Sequence, residues 1–225
     1  DRHAEFVMWM ANVATTLDKI CTEIRTLQRT EIGEVQEPFG ERQVGSSTMP
    51  HKKNPINFEN AKSAWKTFFP RMVTVYMDQI SEHERDLTNS LSQRYLPEVI
   101  VMLDSTVRRV KKTIENLVVK RDKMRDNLKI SVDKISAEPL QVILSSLGHE
   151  NAHEYVRRLV MKAYEEGVSF TDVADRDNVL KEYLMAIDKE KVDLIKNPER
   201  YTGIAERKVT EVCNIWRDRI SEIER

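Results

Sequence analysis

The chain has 225 residues, 36 Lys and Arg against 37 Asp and Glu, a formal net charge of -1, and only 6 Gly, 7 Pro and 2 Cys. Near-neutral charge gives no global field to attract nucleic acid, Cys21 and Cys213 are too few and too distant for a disulfide framework, and no apolar run approaches the roughly 18 residues of a membrane span. With helix breakers this scarce and no signal-peptide order at the start, the composition reads as an all-α, intracellular, cytoplasmic protein large enough to bury a core.

Residues 1–29 contain no Gly or Pro, and Phe6, Met10, Val13, Leu17, Ile20, Ile24 and Leu27 recur at steps of 3 and 4. That spacing predicts a long helix packed nearly parallel to others. It is in phase from Phe6 without a preceding cap, which reads as a chain starting inside a helix. Six of the thirteen Gly and Pro then fall between Gly33 and Pro55, so a long loop is expected over 33–55. Loops of that length are usually functional or disordered. Asn54-Pro55 supplies a cap and a first-turn Pro, opening a helix that carries Phe58, Ala61, Trp65, Phe68 and Phe69 and that Pro70 should kink or divide. A polar segment, 81–93, leads into another long helix with Val99, Met102, Leu103, Val107, Val110, Ile114 and Leu117 as its core stripe. Arg108, Arg109, Lys111, Lys112, Lys120, Arg121, Lys123 and Arg125 have no interleaved aromatics and read as a solvated helix face. Beyond residue 128 shorter helices are expected at 136–147, 151–166, 188–196 and 204–224, the first two stopped by Gly148 and Gly167. A domain boundary is placed there, giving 1–128 and 129–225. Trp9, Trp65, Trp216 and the methionines read as packing residues.

The breaker-rich window contains Gly45-Ser46-Ser47-Thr48-Met49-Pro50-His51-Lys52-Lys53-Asn54-Pro55. A Gly beside two hydroxyls exposes backbone N–H groups, Lys52 adds a fixed charge, and Asn54 stands at a helix amino-terminus, where anions bind readily. The chemistry implied is handling of a carboxylate or a phosphate. Further on, Ser90 and Arg94 stand at i and i+4, one face if helical. Together with Arg85 they offer two guanidinium groups and a hydroxyl, a clamp suited to phosphate. His149-Glu150-Asn151-Ala152-His153 spells a zinc-protease pattern, but it directly follows Gly148 with polar flanks and reads as a polar helix start. No metal site is expected.

The string GSSTMPHKKNP resembles the signature loop of the fumarase/aspartase superfamily. His83-Glu84-Arg85-Asp86 with Ser90 and Arg94 is similar to a segment of the adenylosuccinate lyase family within it, and the opening DRHAEF and LQRTEIGEVQEPF share that resemblance. It implies a long-helix bundle with a small carboxy-terminal helical domain, homotetramers whose active sites draw on three subunits, and no metal or organic cofactor. The reaction implied is β-elimination of fumarate from adenylosuccinate, and from the succinyl-aminoimidazole-carboxamide nucleotide of purine synthesis. Residue by residue, Ser46 matches the base, with Ser47 as a neighbouring hydroxyl or alternative base. Lys52 and Asn54 match groups that stabilise the dianionic carboxylate, Arg85, Ser90 and Arg94 match phosphate-binding positions, and Glu59 matches the carboxylate that orients a general-acid histidine. Gly40 and Gly45 would be hinges for loop closure. None of His3, His51, His83, His149 and His153 matches the acid position, so the chain reads as a carboxy-terminal portion, inactive by itself. Argininosuccinate lyase, a carboxymuconate cycloisomerase and a non-catalytic helical assembly module are the competing readings.

Overall fold

The structure, a computed structural model, describes residues 1–225 except 41, 42, 44, 46, 47, 50, 51, 81, 85 and 225, with backbone alone at 131–134 and 198. The chain divides into two compact units, Asp1–Met124 and Arg125–Arg225. Among the described residues, no helix is long and apolar enough to cross a membrane.

The first unit is built on helices α1 (Arg2–Leu27), α2 (Ile56–Met77) and α3 (Tyr95–Glu115), with two-residue strands β1 (Val35–Gln36) and β2 (Val118–Val119) pairing antiparallel, Val35 opposite Val119. The face that α1 buries differs from the predicted heptad stripe. Ala4, Val7, Met10, Ala11, Ala14 and Cys21 are buried, whereas Phe6 and Ile20 are exposed. Small side chains on the buried face let the helix axes approach closely, while Val13, Leu17 and Ile24 of the predicted stripe pack partly buried against the clusters. Two apolar clusters result, one of Val7, Met10, Ala11, Ala14, Phe68, Val99 and Leu103, the other of Cys21, Phe58, Ala61 and Val110. Phe58 and Phe68 are fully buried, each contributing on the order of 1.5–3 kcal/mol. Polar bonds add register: Lys62 Nζ donates to Asp18 at 2.8 Å, and Trp65 Nε1 to Thr15 Oγ1 at 3.0 Å. Burial, reinforced by the Asp18 charge, pushes the Cys21 thiol up to about 11, which keeps it neutral.

Pro70 does not divide α2, which runs through it as one helix. The residue sits on an exposed turn of the helix. Two 3-10 turns, Leu87–Asn89 and Ser92–Arg94, join α2 to α3. On α3, Val99, Leu103, Val110 and Thr113 are buried, but Val107 and Ile114 are exposed and Leu117 lies beyond the helix end. The basic stretch is therefore not one helix face: Arg108 pairs with Asp104 and Lys111 with Glu115 on α3, and Lys120 follows β2.

The second unit comprises α4 (Arg121–Ile135, whose first turn belongs to the first unit), α5 (Ala137–Ser146), α6 (Ala152–Glu166), α7 (Phe170–Arg176), α8 (Asn178–Met185), α9 (Lys189–Lys196) and α10 (Ala205–Ile223). Leu140, Leu144, Val156, Phe170, Val173 and Leu180 form its core. Asn151 caps α6 by accepting the Glu154 N–H, and Gly167 ends it at φ 65°, in the left-handed region that glycine tolerates. Ser169 and Asp177 likewise cap α7 and α8, two helices the sequence reading passes over. Asp177 also accepts the Tyr155 hydroxyl at 2.5 Å; burial and this bond push the phenol above its ordinary value. Every residue of α10 is exposed. Trp216 and Trp9 are both more than half exposed, so neither packs within this chain as expected. Helical periodicity reveals an apolar face but not what covers it.

Candidate active site

The long loop leaves the end of β1 and returns at α2. Asn54, the expected cap, does not cap: its Nδ2 donates to the Gly45 carbonyl at 3.0 Å, and Pro55 takes the cap position without a side-chain bond. The Ile56 N–H goes to the Asn54 carbonyl at 2.9 Å, and the next two N–H groups of α2 are taken by Glu37, which is 2% exposed. Its carboxylate accepts from the Asn57 N–H at 3.0 and 3.1 Å, from the Phe58 N–H at 3.5 Å, and from Asn57 Nδ2. Gln28 Oε1 accepts the Glu37 N–H at 2.8 Å, and its Nε2 donates to the Lys53 carbonyl at 3.1 Å. Sequence reasoning misses Glu37 because the cap lies 20 residues from its helix. The only local signal is a helix start where Pro offers no acceptor.

Lys52 is exposed, makes no ion pair among the described residues, and donates its backbone N–H to the Met49 carbonyl at 3.0 Å. Gly45 lies against the Lys52 carbonyl, where an added Cβ would stand 1.6 Å from the oxygen. Only glycine permits that crossing. Glu59, on the exposed first turn of α2, has its Oε1 3.6 Å from Arg25 Nη2, leaving Oε2 without a partner among the described residues. A fixed cation, an amide and a carboxylate thus gather around one helix start. Ser46 and Ser47 lie outside the described residues, as does His51.

Ser90 and Arg94 stand elsewhere. Both are exposed, and they sit in or beside 3-10 turns, so the expected α-helical face does not form as such. Asn89 Nδ2 donates to the Asp78 carbonyl at 2.7 Å and Ser92 Oγ bonds its carboxylate, which fastens these turns to the far end of α2. Nearby, the Thr88 hydroxyl and N–H hold the Asp86 carboxyl below its ordinary value. Arg94 has no ion pair among the described residues, and Arg85 lies outside them. The 22 residues of α2 span about 33 Å at the α-helical rise. One copy of the chain therefore keeps Ser90 and Arg94 a helix length away from Lys52, Asn54 and Glu59.

In the second unit, His149 lies ahead of α6, with Nδ1 accepting the Asn151 N–H at 3.2 Å and its ring packed on Tyr155 and Tyr183. The zinc-protease spelling thus does not place two histidines on one helical face. Among the described residues, no group of three His, Cys, Asp or Glu could hold a metal ion.

Comparison with known families places the chain. A family model described as Lyase matches residues 1–66, and one described as Adenylosuccinate lyase C-terminal matches residues 81–196, just over half of the chain. The chain belongs to the adenylosuccinate lyase family. Family relatives include the adenylosuccinate lyases of Pyrococcus abyssi, 41% identical over all of this chain and 49% of that protein, and of Methanothermobacter thermautotrophicus, 42% identical over 94% and 47%. The chain spans about half the length of the curated relatives it matches. Among solved structures, the 3-carboxy-cis,cis-muconate lactonizing enzyme from Pseudomonas putida superposes with a TM-score of 0.80 at 28% identity, over 94% of this chain and 47% of that one. A fumarate lyase from Mesorhizobium, at a TM-score of 0.76 and 23% identity over 93% and 46%, shares the fold. The all-α superfamily architecture read from the sequence is thus the family's own. Lys52, Asn54 and Glu59 fall within the first family match, Ser90 and Arg94 within the second.

Proposed function

We propose that this chain supplies one part of an adenylosuccinate lyase active site, which β-eliminates fumarate from adenylosuccinate to give AMP and acts likewise on the succinyl-aminoimidazole-carboxamide nucleotide. Ser46 takes the proton from the carbon next to a carboxylate, the carbon–nitrogen bond breaks, and the electron pair leaves on the purine-side nitrogen. Lys52 and Asn54 stabilise the charge that builds on the carboxylate. Arg85, Ser90 and Arg94 hold the phosphate. A histidine from a segment outside this chain protonates the leaving nitrogen, oriented by Oε2 of Glu59 while Oε1 faces Arg25. The observation that carries this reading is the adenylosuccinate lyase match over 81–196, which contains the phosphate-clamp candidates.

The separation of the two clusters along α2 favours a site shared between copies. So do Phe6 and Trp9 of α1, which are exposed and stack on each other. Both agree with a homotetramer in which the first unit is the later part of the central bundle and the second is the small carboxy-terminal domain.

The phosphate clamp separates this reading from lactonizing enzymes, because a carboxymuconate carries no phosphate. In enzyme reconstituted from this chain and the segment of the Pyrococcus abyssi relative outside the match, Arg94→Ala should raise KM for adenylosuccinate about 10- to 100-fold, the worth of one charge-assisted hydrogen bond. Steady-state kinetics check it, and an unchanged KM would refute the clamp.

A further inference from the structure

We propose that Glu37 and Gln28 are positioning residues that fix the place of Lys52 from outside the signature loop. The inference rests on the catalytic reading of Lys52 given above.

Among the described residues of the loop, none between Glu37 and Pro55 lies in a helix or strand, and Lys52 is itself exposed. Its position depends on what holds its neighbours. On one side the Lys53 carbonyl accepts from Gln28 Nε2 at 3.1 Å. Asn54 is tied back to Gly45 at 3.0 Å. Immediately beyond, α2 receives its cap from Glu37, a buried carboxylate with donors from Asn57 and Phe58. A buried charge persists only where several donors satisfy it, and the positive end of a helix dipole is such a place. Arg109 Nη1 donates to Asn57 Oδ1 at 3.2 Å, so the Asn57 amide is fixed with its nitrogen toward Glu37.

Glu37 is in turn held at the root of the loop. Its N–H donates to Gln28 Oε1 at 2.8 Å, and it follows β1, which pairs with β2. The Lys120 N–H donates to the Glu34 carbonyl at 2.8 Å and the Glu34 N–H to the Leu27 carbonyl at 3.0 Å. One amide side chain at the end of α1 therefore touches both ends of the loop, and one carboxylate welds the outgoing end to the helix on which the returning end stops. Neither group needs to meet substrate. Their role is to set where the Lys52 ammonium stands when substrate arrives.

The test pairs hydrogen exchange on the chain with kinetics on the reconstituted enzyme. In Glu37→Gln, which turns one acceptor oxygen into a donor facing N–H groups, the amides of 52–58 should exchange faster, while those of Val7 to Ala14 in the α1 core keep their protection. Kinetically, Glu37→Gln should lower kcat about 10- to 100-fold, as a misplacement of about 1 Å does. KM should move less than about threefold, because the phosphate clamp is not involved. Gln28→Ala should act in the same direction, and Glu37→Asp should recover part of the loss. Lys52→Ala is the reference variant. If Lys52→Ala is inactive but Glu37→Gln keeps kcat within about twofold, or if exchange over 52–58 is unchanged, the positioning role is refuted. If Lys52→Ala itself retains full kcat, the catalytic reading fails instead. Should Glu37→Gln lower the protection of the α1 core as well, Gln28→Ala decides by the same two readouts.

Discussion

Ser46→Ala in the reconstituted enzyme should lower kcat about 10²- to 10⁴-fold, the usual worth of a positioned general base, with KM for adenylosuccinate little changed. A serine hydroxyl at its ordinary pKa is a poor base. It works only where a fixed cation and oriented donors stabilise the alkoxide in a site that excludes water. The loop doubles back on itself beside this serine, with the Lys52 carbonyl against Gly45. Ser47→Ala should cost far less. Single-turnover measurement of fumarate release distinguishes the two, and a large loss at Ser47 with a small one at Ser46 would move the base to Ser47.

Gly45→Ala should be nearly as damaging although it removes no reacting group. The new Cβ would stand 1.6 Å from the Lys52 carbonyl oxygen, a separation no structure accepts, so one strand of the loop must shift. The bond from Asn54 Nδ2 to the Gly45 carbonyl shifts with it. Since Lys52 and Asn54 are the proposed charge-stabilising pair, displacing them by about 1 Å should lower kcat about 10²-fold. The cooperative melting of the helical core should persist, because Gly45 belongs to neither hydrophobic cluster of the first unit. Gly45→Ala with full activity would mean that the loop does not need this crossing.

How much could be read in advance varied with the range of the interaction. Helix α6 was legible at both ends, because Asn151 and Gly167 act on residues within a turn of themselves. The start of α2 was not, because its cap comes from Glu37 across the loop and only the folded chain brings them together. Phe6 and Trp216 show the same limit from the packing side. Their spacing announces an apolar helical face, yet both are exposed, because spacing says nothing of what covers such a face. Helices α7 and α8 escape a reading by periodicity because each is too short for it to stand out, and their local signs are the capping residues Ser169 and Asp177. In the site, residue types and spacing pointed to anion chemistry around Lys52, Asn54 and Arg94. That Arg94 lies at the opposite end of α2 from the other two needed the fold, because the i and i+4 rule speaks only of neighbours along one helix.

The most direct test of a shared, adenylosuccinate-cleaving site is fumarate release by this chain mixed with the segment of the Pyrococcus abyssi relative outside the match. Neither part should release fumarate by itself. The mixture should do so from adenylosuccinate, and Lys52→Ala should abolish the release. A mixture that folds and assembles but releases no fumarate would contradict the catalytic reading and leave a helical assembly module in its place.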